Sequence, residues 1–203
     1  TIQLETSNTA FEALRITSDG QILMGGNTAY NVFENGSTAP RLQVRGTNLS
    51  GSCQAWIRAT ADAGGHKLFL ANTRSTAEGG QTIVNSGDEV GQLHFTGSDG
   101  TQFVDACQIR GAIDGTPGAD DMPGRLTFHT TADGASSCTE RVRINNTGSL
   151  LIGTTSDSTG QAGEGAFINS YGRMCLRRDD TMYIAKSLAT GGYTAFEIRS
   201  AQT

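Results

Sequence analysis

Glu12-Ala13-Leu14-Arg15-Ile16-Thr17-Ser18-Asp19-Gly20-Gln21-Ile22-Leu23-Met24-Gly25 decides the fold, because it returns later in the chain. Glu140-Arg141-Val142-Arg143-Ile144-Asn145-Asn146-Thr147-Gly148-Ser149-Leu150-Leu151-Ile152-Gly153 aligns with it over fourteen positions without a gap, 128 residues further on (140 minus 12). Both copies read Glu-x-apolar-Arg-Ile, four polar turn residues ending in Gly, then apolar residues and a second Gly. Side chains on a strand alternate with period two. Leu14 and Ile16 therefore face one way and Arg15 the other, and Val142, Ile144 and Arg143 repeat the arrangement. Each copy is expected to be a hairpin with a dry face, on which Leu14, Ile16, Val142 and Ile144 are buried, and a wet face holding the Arg. An isolated two-stranded hairpin is at best marginally stable in water. The dry face must lie against the chain's own residues or against a neighbour.

The same grammar extends outward. Leu93-His94-Phe95 precedes Ser98-Asp99-Gly100, and Leu126-Thr127-Phe128 precedes Ala132-Asp133-Gly134. Asp-Gly supplies the positive φ of tight hairpin turns. Gly91-Gln92-Leu93-His94-Phe95 is echoed by Gly124-Arg125-Leu126-Thr127-Phe128, and Phe103 to Arg110 alternates between them. No window of eleven residues keeps helical apolar spacing without Gly or turn residues breaking it. The fold class expected is all-β: many short antiparallel strands in modular hairpin, β-sandwich or β-helical segments.

Boundaries follow from these punctuation marks. Residues 1–26 read as the end of one module and 27–40 as a linker. Residues 41–154 form a complete module closed by the second cassette. Residues 155–165 are a Gly/Ser/Thr linker, and 166–203 begin a different β unit, with Met174-Cys175-Leu176, Met182-Tyr183-Ile184 and Phe196-Glu197-Ile198 as strands.

Composition narrows the function. A net charge of −5 argues against a phosphate-tracking surface, so nucleic acid is not an expected partner. No apolar run approaches the ~18 residues of a membrane span, and Thr1-Ile2-Gln3-Leu4 lacks the basic and apolar regions of a signal peptide. Cys53, Cys107, Cys138 and Cys175 show no C-x-x-C and no His at zinc spacing. Four cysteines allow three pairings and spacing chooses none; four free thiols is the plainer reading. Asp19, Asp99, Asp114 and Asp133 each precede Gly, which is turn chemistry rather than a catalytic pair. No Gly-x-Ser-x-Gly, His-Glu-x-x-His or Walker sequence occurs, so no enzymatic activity, catalytic residue or cofactor is expected. Asp114, Asp120 and Asp121 share a loop but lack calcium-loop spacing, so no metal is expected. Trp56 is expected to anchor a core, and His94 and His129 to occupy polar strand-face positions. Three of the four tyrosines fall after residue 166. Tyr183, Tyr193, Arg177 and Arg178 are the candidate receptor-contact residues.

The long module resembles a repeat of bacteriophage tail-fibre proteins, notably those of phages of cyanobacteria and other aquatic bacteria. Ser86-Gly87-Asp88-Glu89-Val90-Gly91-Gln92-Leu93-His94-Phe95 carries the resemblance, with Asp114-Gly115-Thr116-Pro117-Gly118 through Pro123-Gly124-Arg125-Leu126-Thr127-Phe128. Thr130-Thr131-Ala132-Asp133-Gly134, Thr139-Glu140-Arg141-Val142-Arg143-Ile144 and Leu151-Ile152-Gly153-Thr154-Thr155 complete it. The resemblance spans roughly residues 41–155. It implies a virion fibre: an elongated homotrimer with a shared core, joined to other tail or baseplate proteins and reaching a host-surface glycan or protein. Strands with so little aromatic content suit a core shared among chains. Members of such families often end in a self-cleaving chaperone domain, and no such domain or Ser-Lys dyad is recognised here. A polysaccharide-depolymerising tailspike and a bacterial surface adhesin are the alternative readings.

Overall fold

The computed structural model describes residues 2–5, 12–32, 39–157 and 165–177. Its Asp-Gly and Thr-Gly turns reverse the chain through glycines in the left-handed region: Gly20 (φ 76°), Gly100 (97°), Gly134 (76°) and Gly148 (82°). The hairpins they close assemble two sheets, and the regular secondary structure of the described residues is nearly all β.

The first sheet holds β1 (Ile2–Glu5), β2 (Glu12–Ile16), β3 (Ile22–Met24) and β4 (Leu42–Val44), in that order. One helical turn, α1 (Leu49–Ser52), follows, capped by the Asn48 side chain accepting from the Gly51 N–H. The second sheet holds β5 (Glu89–Ser98), β6 (Phe103–Ile113), β7 (Gly124–Thr131), β8 (Cys138–Ile144), β9 (Leu150–Ile152), β10 (Gly165–Ile168) and β11 (Met174–Arg177). Its spatial order is the chain order, and every neighbouring pair is antiparallel. In the first sheet β3 and β4 are instead parallel, Ile22 beside Leu42 and Met24 beside Val44, where the sequence pattern implied antiparallel strands throughout.

The two cassettes adopt one register. Leu14 pairs with Met24, Arg15 with Leu23 and Ile16 with Ile22. Val142 pairs with Ile152, Arg143 with Leu151 and Ile144 with Leu150. Even the turns agree: Gly20 N–H donates to Thr17 O, and Gly148 N–H to Asn145 O.

Burial is the reverse of the expected one. Leu14, Ile16 and Val142 are only half-buried, and Ile144 is exposed. The fully buried apolar residues of the cassettes are Leu23 and Leu151, the partners of Arg15 and Arg143. The reason lies in the residues after each hairpin. The Gln43 amide, beside Leu23, accepts from Tyr30 N–H (3.1 Å) and donates to Tyr30 O (3.0 Å), and Arg45 stacks over the Tyr30 ring. That pins the loop onto the Arg face. After β9, the Ser149 hydroxyl donates to Asp157 (2.8 Å), and Ser149, Leu151 and Phe167 are sealed. A further sealed point lies at the end of β6, where Ile113 exchanges backbone hydrogen bonds with Gly87 and Asp88, and Val84 is buried.

Trp56 anchors no core. It is exposed and stacks on His66, ring centroids 5.9 Å apart. Residues 53–88 contain no strand, so no sheet face exists there for the indole to enter. All four thiols are free.

Candidate functional site

Register lays out the seven-stranded sheet as rows, because directly paired residues share a face. One row runs Gln92, Arg110, Thr127, Arg143, Leu151, Phe167, Cys175. It is polar over β5–β8 and apolar over β9–β11, where Leu151 and Phe167 are sealed. The flanking rows lie on the other face. One is Leu93, Ile109, Phe128, Val142, Ile152, Ala166, Leu176, and the second is Gly91, Gly111, Leu126, Ile144, Leu150, Ile168, Met174. Both are apolar from edge to edge.

The polar face is linked by side-chain bonds within the chain, with the buried Arg110 Nε left unpartnered among the described residues. Glu89 pairs with Arg110 (2.6 Å), Arg110 donates to Gln108 Oε1 (3.0 Å), and Gln108 Nε2 donates to Asp105 (2.5 Å). The His94 Nδ1 lies 3.0 Å from both Asp105 oxygens, and its Nε2 lies 2.6 Å from Gln92 Oε1. His129 Nε2 bonds Thr127 Oγ1 (2.9 Å), which donates to Arg110 O. Burial, then the charge of Arg110, holds the His129 imidazole below its ordinary pKa. Arg143 pairs with Glu140 through two bonds of 2.8 Å. His94 and Asp105 form a dyad that orients an imidazole, but the bonding partners of that ring are carboxylate and amide groups, with no hydroxyl or thiol to activate. The sequence reading placed His94 and His129 on a polar face, and there they lie. It missed Asp105. Strict alternation back from Gln108 sends Asp105 to the apolar side, and the β-bulge between Phe95 and Thr96 on the paired strand, which leaves Ala106 unpaired, returns it.

The apolar face carries no such network. At its glycine corner the chain covers itself: a Cβ on Gly91 would meet the Leu70 side chain, so Leu70 occupies that space. Leu68 lines the same hollow. Beyond that corner Phe95, Phe128, Ile144, Ile152 and Met174 stand exposed. The bulged residue Arg141 reaches the rim of this face and donates to Thr130 Oγ1 (3.0 Å).

The expected contact residues are not brought together. Tyr183, Tyr193 and Arg178 lie outside the described residues, and Arg177 ends β11, paired with Gly165. Asp114 is engaged by Arg125 (2.9 Å) and by Asn146 N–H (3.1 Å), while Asp120 and Asp121 point to solvent. Among the described residues, no three His, Cys, Asp or Glu side chains gather as a metal site. An open hollow between two hairpin tips is lined by Asp99, Gln102, Val104, Ser136 and Ser137. Its carboxylate is already spent on the turn: Asp99 accepts from the Thr101 and Gln102 N–H groups, which lower its pKa.

No protein-family model matches the chain, and no curated protein sequence matches it. Solved structures do. The carboxy-terminal domain of the bacteriophage T5 L-shaped tail fibre aligns over 88% of this chain and 68% of its own, at 14% identity and a TM-score of 0.49. The same domain with its intra-molecular chaperone domain aligns over 93% of this chain, at 14% identity and a TM-score of 0.50. The likeness is one of fold. The chain spans half the length of that second structure.

Proposed function

We propose that this chain is a segment of a bacteriophage tail fibre. It assembles as a homotrimer in the virion and carries a host-contacting surface away from the particle. The reading is carried by the fold likeness to the T5 tail fibre domain over 93% of the chain. The repeated hairpin cassette adds to it, since a repeat at fixed register builds length. So does the resemblance of residues 41–155 to tail-fibre repeats. The role is mechanical and adhesive, without a catalytic step. Three chains per fibre and several fibres per virion let weak contacts with a surface glycan or protein sum to firm attachment. Arg177, Arg178, Tyr183 and Tyr193 remain the proposed contact residues, with other tail or baseplate proteins as partners at the virion end.

Electron microscopy and light scattering of the purified protein test this. The expected particle is a rod with three times the 21.3 kDa chain mass that competes with intact phage for host cells. A globular monomer that leaves adsorption unchanged would overturn the proposal. Alanine at the four contact residues should abolish the competition and leave the rod intact.

A further inference from the structure

Among the described residues, the two apolar rows of the seven-stranded sheet are covered only at the Leu68 and Leu70 corner. Nine large side chains of that face are more than a third exposed, from 37% for Phe128 to 64% for Met174. At roughly 200 Å² for a large side chain the open area is on the order of 800 Å². Monomers rarely expose a contiguous apolar patch beyond ~300–600 Å², and a stable interface takes about 800 Å² from each partner.

The identity of the partner follows from repetition. In the first sheet the rows Leu14–Met24–Val44 and Ile16–Ile22–Leu42 lie on the corresponding face, and Ile22, Met24 and Leu42 are exposed there. The same register and the same sidedness recur 128 residues apart (142 minus 14), and none of the eight apolar residues that the two cassettes place on these faces is buried. A receptor needs to be met once. A partner that meets both cassettes must itself present apolar faces at the same interval, and another copy of this chain does so. On the opposite face the chain supplies its own ion pairs, Glu89 with Arg110 and Glu140 with Arg143.

We infer that the Leu14/Ile16 and Val142/Ile144 faces are buried against the same faces of further copies of this chain, and that the Arg15 and Arg143 faces form the outside of the assembly. The inference rests on the trimeric fibre reading only for the number of copies.

Phe128→Glu and Ile144→Glu test it. Both sites are more than a third exposed in the single chain, so a carboxylate there keeps a path to water. The expected result in light scattering is a threefold loss of mass, to 21.3 kDa, with the β signal in circular dichroism retained. His94→Gln, on the polar face, should leave the mass unchanged. Because a Glu variant that collapses could be a folding failure, a second measurement keeps the native surface: benzophenone-alanine placed at Ile144 or at His94 and irradiated. Inter-chain cross-links from position 144 and none from 94 are expected. Cross-links from 94 alone, or full-mass assembly of both Glu variants, would overturn the face assignment and leave the tail-fibre reading standing. A compact, non-fibrous assembly that still cross-links through 144 would do the opposite.

Discussion

At the residue scale, Asp88 gives the clearest pH signature. The Arg74 guanidinium grips it through two bonds (2.5 and 2.7 Å), and the Asn85 N–H adds a third (2.8 Å). Led by the Arg74 hydrogen bond, these hold its carboxyl at about 2, below the ordinary value. A carboxyl with a depressed folded pKa stabilises the fold above its unfolded pKa of ~3.9 and loses that contribution as pH falls through the folded value. The tie matters because Asp88 O also accepts from Ile113 N–H (2.8 Å), which closes the end of β6. Asp88→Asn should melt lower than the native chain at neutral pH. The gap should narrow from about pH 4 downward and close near pH 2. Melting curves across that range check it, and a gap that persists at pH 2 would assign the effect to something other than the charge.

At the scale of elements, the cassettes predict each other. Leu23 and Leu151 are both fully buried and occupy matching positions. Leu23→Ala and Leu151→Ala should each cost about 2–5 kcal/mol, and by similar amounts, read from urea unfolding. Unequal losses would mean that the two share a register but not a packing. The hairpins were legible in the sequence because Asp-Gly and the period of two are local signals. So was the pairing of Leu14 with Ile16 and of Val142 with Ile144 on one face. Which face the single chain covers was not, since alternation groups residues without saying what lies on top. Tyr30, Gln43 and Asp157 decide that from outside the hairpins. The parallel pairing of β4 and the return of Asp105 to the polar face depend on a long connection and on one unpaired residue. Neither leaves a mark in composition. The candidate contact residues Tyr183, Tyr193 and Arg178 rest on the sequence alone.

At the scale of the whole molecule, strand order in the second sheet equals chain order. Each strand from β6 onward finds its first neighbour a short distance back along the chain, so loop closure takes little entropy at any step. Folding rate follows this locality, and low contact order makes a sheet fast. Meeting other chains is a diffusive event whose rate depends on how many chains are present. The proposed homotrimer therefore divides the history of the molecule in two. Diluted from denaturant, it should regain β-sheet circular dichroism first, at a rate indifferent to protein concentration. Full resistance to protease should come later, at a rate that climbs with concentration. A single phase independent of concentration would show that each chain finishes alone. A meander can begin to zip while its own C-terminus is still being synthesised, so for the proposed trimer the ribosome releases a strip already pleated and still searching for company.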